Sequence, residues 1–329
     1  MLRAASIGLG WWSDELAKAI QDKSDKIRIA SCYSRSGEKR SAFADRFGTD
    51  QHESYEAVLA DPDIDAVILT TPHSLHAEHV IRAAAAGKQV FVEKPFTLTA
   101  ETGRQAAAAC ATAGVVLAVG QNRRFSAVAA ELMRMLEAGA FGTVLHAEAN
   151  FSGRGALNYA PDWWRASRTE SPGGGIAGMG VHLIDLLCAL FGPVAKVNAQ
   201  AKRRAAEVDI DDTTSALFEF QSGPTGYLGT MAACPNTNSL NVYGTDANAF
   251  CLVDADQMSV QKPGGRPEPR PLAPIDTLKA ELDEFADAVV GNVTYRVRPD
   301  EAIHTVAVMQ AMVESAATGG APVKLNGSE

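Results

Sequence analysis

The N-terminal third of the chain alternates short, almost wholly apolar runs with amphipathic ones, and the first apolar run breaks at Gly8-Leu9-Gly10-Trp11-Trp12-Ser13. Leu2 to Leu9 has the length of a buried strand, and Asp14 to Lys23 reads as the helix after the turn. Ile27 to Tyr33, Asp65 to Thr70, Gln89 to Glu93 and Val115 to Gly120 read as further strands. Ser36 to Phe47, His76 to Ala86 and Ala100 to Ala113 read as the helices between them. Strands that are apolar on both faces, each followed by a helix, require a parallel sheet covered on two sides. The pattern predicts an α/β unit of the Rossmann dinucleotide-binding type over residues 1–120.

The remainder, residues 121–329, follows another pattern and is expected to form a second, α+β domain for substrate binding and oligomerisation. After a helix over about Ala127 to Glu137, strands are expected at Val144 to Asn150, Val194 to Ala205 and Ser215 to Gln221. Gly226 to Ala232, Leu240 to Tyr243 and Ala249 to Val253 follow. Short Gly/Pro/Asn turns between several of them favour antiparallel pairing. Helices are expected at His182 to Phe191, Thr277 to Val290 and Asp300 to Thr318, and the proline-rich Lys262 to Pro274 stretch as a loop. The result is a largely antiparallel open sheet with helices on one face. Two domains also suit 329 residues, more than one core usually holds.

Net charge is −9 with no basic block, which argues against nucleic acid as a partner. Cys32, Cys110, Cys188, Cys234 and Cys251 are widely spaced, with no metal-ligand pattern. No plausible zinc cluster exists, so a zinc enzyme is set aside and no metal is expected. With no apolar run of membrane-spanning length and a strand beginning at Leu2, a cytoplasmic protein is expected, away from membranes.

In the glycine turn, Gly8 suits a tight bend, Gly10 admits a pyrophosphate close to the backbone, and the helix that follows offers its N-terminus. Ser13 stands at the third glycine position; Trp11 and Trp12 read as packing or cover over a cofactor. The end of the second strand bears on the choice of nucleotide. An NAD site usually places an acidic residue there for the ribose hydroxyl, yet none occurs from Lys26 through Gly37. The chain reads Tyr33-Ser34-Arg35-Ser36 instead, with Lys39 and Arg40 close behind. Hydroxyls and a guanidinium suit a 2′-phosphate, so NADP is preferred, with NAD the alternative. Thr70-Thr71-Pro72 and His76 follow a strand end where such sheets bind ligands, and could line the nicotinamide ribose. Glu93-Lys94-Pro95 ends another strand on that side. A lysine there can give or take a proton during hydride transfer if its pKa falls toward roughly 7–8.

With these residues in hand, the chain resembles the Gfo/Idh/MocA oxidoreductases. The resemblance rests on the glycine turn, Thr71-Pro72 with His76, Glu93-Lys94-Pro95 and Gly120-Gln121-Asn122-Arg123-Arg124-Phe125. It continues through Trp164-Arg165, Gly173-Gly174-Gly175 and Gly180-Val181-His182-Leu183-Ile184-Asp185. It implies that Glu93 helps to hold the cofactor, that Lys94 is the acid/base group, that the Lys94–Pro95 peptide is often cis, and that His182 is a second acid/base group. Cofactor contacts are then expected from Gly8, Gly10, Trp11, Trp12, Ser34, Arg35, Lys39, Thr71, Pro72, His76, Glu93, Lys94, Asn122 and Arg165. Substrate contacts are expected from Lys94, Arg124, Tyr159, Trp164, Arg168, His182 and Asp185, with Arg168 open to pairing with Glu170 instead.

Inositol dehydrogenase-like members carry an aspartate four residues before the histidine, and here that position is Gly178. The expected activity is therefore hydride transfer between a nicotinamide nucleotide and an alcohol or ketone carbon of a sugar, cyclitol or cyclic diol. A dihydrodiol- or phthalate-type substrate, or a non-catalytic nucleotide sensor on the same fold, stands as the alternative. By the same resemblance, the sheet of the second domain is expected to pair subunits into a homodimer or homotetramer.

Overall fold

The computed structural model describes residues 1–325, so the last four residues of the expected second domain lie outside it. The chain separates into two compact units: Met1–Asn122 with Asp276–Ile303, and Arg123–Ile275 with the chain from His304 onward.

In the first unit the order is β1 (Leu2–Ile7), α1 (Trp11–Ile20), β2 (Ile27–Tyr33), α2 (Gly37–Phe47), β3 (Asp50–Gln51), α3 (Tyr55–Ala60) and β4 (Ala66–Leu69). Then come α4 (His76–Ala85), β5 (Gln89–Glu93), α5 (Ala100–Ala113) and β6 (Leu117–Gly120). The strands form one parallel sheet in the order β3-β2-β1-β4-β5-β6. The order reverses at β1, and the crevice at the carboxyl ends of β1 and β4 is where such sheets take ligands. All four residues of β4 and of β6 are buried, which is why these strands read as unbroken apolar runs. Helix starts follow local chemistry: Ser36, Ser54 and Thr99 each accept a hydrogen bond from a backbone N–H three residues on, capping α2, α3 and α5.

The second unit contributes α6 (Ala127–Glu137), β7 (Val144–Ser152), α7 (Val181–Phe191), β8 (Val194–Lys202), β9 (Thr213–Phe220), β10 (Thr225–Met231), β11 (Thr237–Gly244), β12 (Asn248–Leu252), β13 (Gln257–Gln261) and β14 (Glu268–Arg270). After them the chain forms α8 (Thr277–Val289), which belongs to the first unit, then α9 (Pro299–Ala317), within which the unit boundary falls, and β15 (Val323–Lys324). The second sheet runs β14-β13-β12-β11-β7-β10-β9-β8-β15. Its pairings are antiparallel except for β7 with β10, which run parallel. Alternate residues of β9 (Thr214, Ala216, Phe218, Phe220) are buried, while Leu217 and Glu219 face out, the signature of a sheet covered on one side.

Two expectations require revision here. The segment 276–303, read from the sequence as part of the second domain, packs in the first unit: the Phe285 ring lies 5.8 Å from Phe91 of β5, and Ser24 bonds Asp283 at 2.5 Å. The Lys262 to Pro274 loop carries a short edge strand, β14, at Glu268–Arg270, supported by pairing to β13. Among the described residues, no helix is long and apolar enough to cross a membrane.

Candidate active site

Sequence and geometry converge first at the turn after β1. Gly8 sits at φ +92°, and a Cβ there would lie 2.8 Å from the Thr71 side chain, so only glycine fits between β1 and the loop after β4. Thr70 clasps the same turn, its hydroxyl donating to Gly8 O at 2.5 Å. The helix begins earlier than the periodicity suggested: Trp11 and Trp12 form the first turn of α1 rather than a loop over it. Gly10 caps α1 without a side-chain hydrogen bond, and nothing lies within 4 Å of where its Cβ would be. An uncapped helix N-terminus facing open space is what a pyrophosphate requires, so these residues fit the dinucleotide.

At the end of β2, Ser34 is buried and its carbonyl is taken by Arg40 at 2.9 Å, whose guanidinium also holds Glu53 at 2.5 Å. Arg40 is thus a structural residue. Arg35 and Lys39 are exposed and, among the described residues, enter no ion pair, which leaves two cations beside Ser34.

Around β4 and β5, Pro72 is partly buried and Thr71 is buried, its hydroxyl 3.2 Å from His79 Nδ1. His76, expected to line the ribose, is instead fully buried, with Nδ1 2.9 Å from Pro95 O and Nε2 3.0 Å from Thr71 O. Its ring is a strut between two loops. Glu93 is buried, Lys94 is partly buried, and the Lys94 N–H donates to Glu93 Oε2 at 3.2 Å. The Lys94–Pro95 peptide is cis, as the resemblance implied. Asn122 is also buried, and its amide donates to Thr277 Oγ1 at 3.1 Å, at the first residue of α8. Deeper still, Tyr295 donates to Val119 O at 3.2 Å; burial, with the negative charges of Glu281, Glu284 and Glu93, pushes its phenol far above its ordinary value.

In the second unit, Ile176–Gly180 forms one turn of π-helix leading into α7. Gly174, at φ +64°, has no room for a side chain, since a Cβ would fall on Asp211 O. His182 is buried in the first turn of α7, its ring 5.9 Å from that of Phe151 on β7. Arg123 lies over the other partner of that cluster, 5.3 Å from the Phe151 ring centroid, and pairs with Asp254 at 2.7 Å. Arg124 grips the fully buried Asp185 with two bonds of 2.6 and 2.8 Å, so both expected substrate residues serve first as a buried ion pair tying the Asn122–Phe125 turn to α7. Arg165 stacks on Trp164 at 4.0 Å. Tyr159 packs beside Trp163 and against an apolar cluster of Ala156, Ala166, Val208 and Ile210, and burial raises its phenol. Arg168 is exposed and held by Asp209 and Asp211 at 3.1 and 2.7 Å, not by Glu170. At Gly178 a Cβ would meet nothing within 4 Å, so the position is open as well as uncharged.

The parallel sheet, the glycine turn and the two-sheet organisation define a nicotinamide-nucleotide oxidoreductase of two units. Residues 2–121 match the model of an oxidoreductase family with an NAD-binding Rossmann fold, and residues 129–250 that of the GFO/IDH/MocA C-terminal domain. The chain belongs to the Gfo/Idh/MocA family and is an NAD(P)-dependent dehydrogenase or reductase. It is 31% identical over 301 residues to D-xylose 1-dehydrogenase (NADP(+)) 2 of Haloferax volcanii, covering 89% of this chain and 90% of that one. It is 32% identical over 205 residues to scyllo-inositol 2-dehydrogenase (NAD(+)) of Bacillus subtilis, covering 60% and 58%. A crystal structure of an oxidoreductase from Desulfitobacterium hafniense superposes with a TM-score of 0.92 at 31% identity, covering 98% of this chain and 97% of the other.

Proposed function

We propose that the protein oxidises a secondary alcohol, or reduces the matching ketone, of a sugar or cyclitol, with Lys94 as the principal acid/base group and NADP as the preferred nucleotide. The observation that carries this reading is the turn at Glu93-Lys94-Pro95: a partly buried lysine at the carboxyl end of β5, in the sheet whose β1 end presents an uncapped helix to a pyrophosphate. The nicotinamide, when bound, takes up or delivers the hydride. Lys94 supplies the other half of the chemistry, a proton to the carbonyl oxygen in reduction or a base for the hydroxyl in oxidation. Its ordinary pKa of about 10.4 must fall for it to work near neutrality.

His182 is proposed as the second acid/base group, its ring oriented by Phe151 and its backbone by the π-turn before α7. The sugar and cyclitol assignment follows the relatives acting on xylose and inositol. Gly178 favours one second reading: without a carboxylate there, a cyclic diol or other ring substrate with fewer hydroxyls is accommodated. For the nucleotide, Arg35 and Lys39 beside Ser34 support NADP, as does the absence of an acidic residue from Lys26 through Gly37. The protein is further proposed to assemble as a homodimer or homotetramer through the exposed face of the second sheet.

Replacing Lys94 with alanine tests the assignment. Turnover is expected to fall by about 10²–10⁴-fold, the range of lost general acid/base catalysis, with nucleotide affinity held within a few-fold. A variant that keeps most of its kcat would remove Lys94 from the chemistry.

A further inference from the structure

His76 is fully enclosed, and each of its ring nitrogens faces a backbone carbonyl: Nδ1 lies 2.9 Å from Pro95 O and Nε2 3.0 Å from Thr71 O. A neutral imidazole carries one N–H and one lone pair. A carbonyl oxygen has no hydrogen to offer, so a lone pair set 3 Å from it is repelled. Only a ring with a hydrogen on both nitrogens satisfies both contacts. We propose that His76 is held as an imidazolium and acts as a positioning residue for Lys94, fixing the lysine-bearing turn and placing a positive charge behind it.

The surroundings can sustain such a charge. Bonds from a charged donor are stronger than neutral ones and offset part of the cost of burial. Glu93, buried at the end of β5, stands two residues before the Pro95 whose carbonyl faces His76 Nδ1. Titratable groups stand on each element around the ring. On the same turn the His73 ring stands edge-on at 5.7 Å. On α4, His79 is driven down to about 4, by burial first, with Glu78 opposing and His76 and Arg82 adding to the fall. On α5, which packs against α4, Glu101 and Arg104 face solvent and pair with each other at 2.8 Å. On β5, Lys94 follows Glu93.

The strut also explains why two separate sequence motifs belong together. Thr71 lies against Gly8 of the dinucleotide turn and Pro95 follows Lys94, so one ring ties the nucleotide side of the crevice to the proposed acid/base group. A cation behind the lysine makes its ammonium easier to deprotonate. This role rests on the assignment of Lys94 made above; the charge state of the ring does not.

The test is ¹⁵N NMR of histidine-labelled protein between pH 7 and 9, with His76→Gln to identify the resonances among the seven histidines. Both nitrogens of His76 should report as protonated well above the ordinary histidine pKa of about 6.5. A ring nitrogen without a proton at pH 7.5, lost in H76Q, overturns the proposal. Should H76Q not fold, the wild-type spectrum decides: no doubly protonated ring above pH 8 overturns it equally. For the link to Lys94, the lysine limb of the kcat pH profile should move up by about one pH unit in H76Q, as expected for losing a nearby charge at an effective dielectric of about 20. An unmoved limb overturns the positioning role. If Lys94→Ala retains turnover while both nitrogens stay protonated, the lysine assignment fails and the imidazolium stands.

Discussion

His79 lies between the Thr71 hydroxyl, 3.2 Å from its Nδ1, and the Tyr55 ring at 4.7 Å. Burial drives its pKa down from 6.5 to about 4. In the unfolded chain it takes up a proton below about 6.5, while in the folded protein it resists until about 4. The unfolded state therefore binds more protons in that window, and stability is lost as pH falls through it. His304 acts in the same direction: its burial lowers its pKa, and Nε2 accepts the Val194 N–H at 3.0 Å, which a protonated ring could not do. Allowing for the partial exposure of His79, its share is on the order of 2 kcal/mol. Urea unfolding at pH 7, 5.5 and 4 should show the decline, and His79→Gln should flatten it; an unchanged slope would contradict the assignment. At this scale the glycine turn was legible in the sequence because its spacing and its place after a strand carry it, whereas Lys94 stood out only through the family resemblance, and its role is the one proposed above. The tasks of His76, Arg40 and Arg124 were not, since each is decided by a partner distant in sequence: Pro95, Glu53 and Asp185.

The helices α4, α5 and α9 were read to within a residue, α1 begins three residues earlier than expected and β8 ends three earlier, and several short elements escaped. The two-residue strands β3 and β15, the edge strand β14 and its neighbour β13 exist only through their partners, and nothing in a local apolar pattern announces them. The helix α3 did leave a signal, the Ser54 cap ahead of Tyr55-Glu56-Ala57, but six residues are too few for helical periodicity to register. The π-turn before α7 is marked only by its glycines. The second sheet, by contrast, has a clear alternation, and its outward side has a consequence for assembly. Leu217 on β9 is 57% exposed and stands directly opposite Tyr227 on β10, itself partly exposed on the same face. Large apolar side chains aligned on an uncovered sheet suit a second copy of the same surface. Size-exclusion chromatography with light scattering should give a dimer or tetramer, and Leu217→Lys should shift it toward monomer. A wild-type monomer at micromolar concentration would contradict the proposed assembly.

On the scale of the whole molecule, the sequence pattern sorted the chain into a parallel and a largely antiparallel sheet, without foreseeing the parallel pairing of β7 with β10, and misplaced one segment. The helix α8 turns a face of Glu281, Leu282, Phe285 and Ala286 inward, and periodicity shows that such a face exists without showing which core receives it. Phe91 settles the matter by packing against Phe285. The first unit thus closes with residues drawn from both ends of the chain, and its central task is to hold a nicotinamide nucleotide. The most direct test is calorimetric titration of the purified protein with NADPH and NADH, repeated on Arg35→Ala after any nucleotide carried through purification has been removed. The account predicts tighter binding of NADPH, weakened about tenfold or more in the variant as a charge-assisted phosphate contact of about 1.5–3 kcal/mol is lost. Tighter binding of NADH, indifferent to the variant, would contradict the 2′-phosphate pocket, and binding of neither nucleotide would contradict the account as a whole.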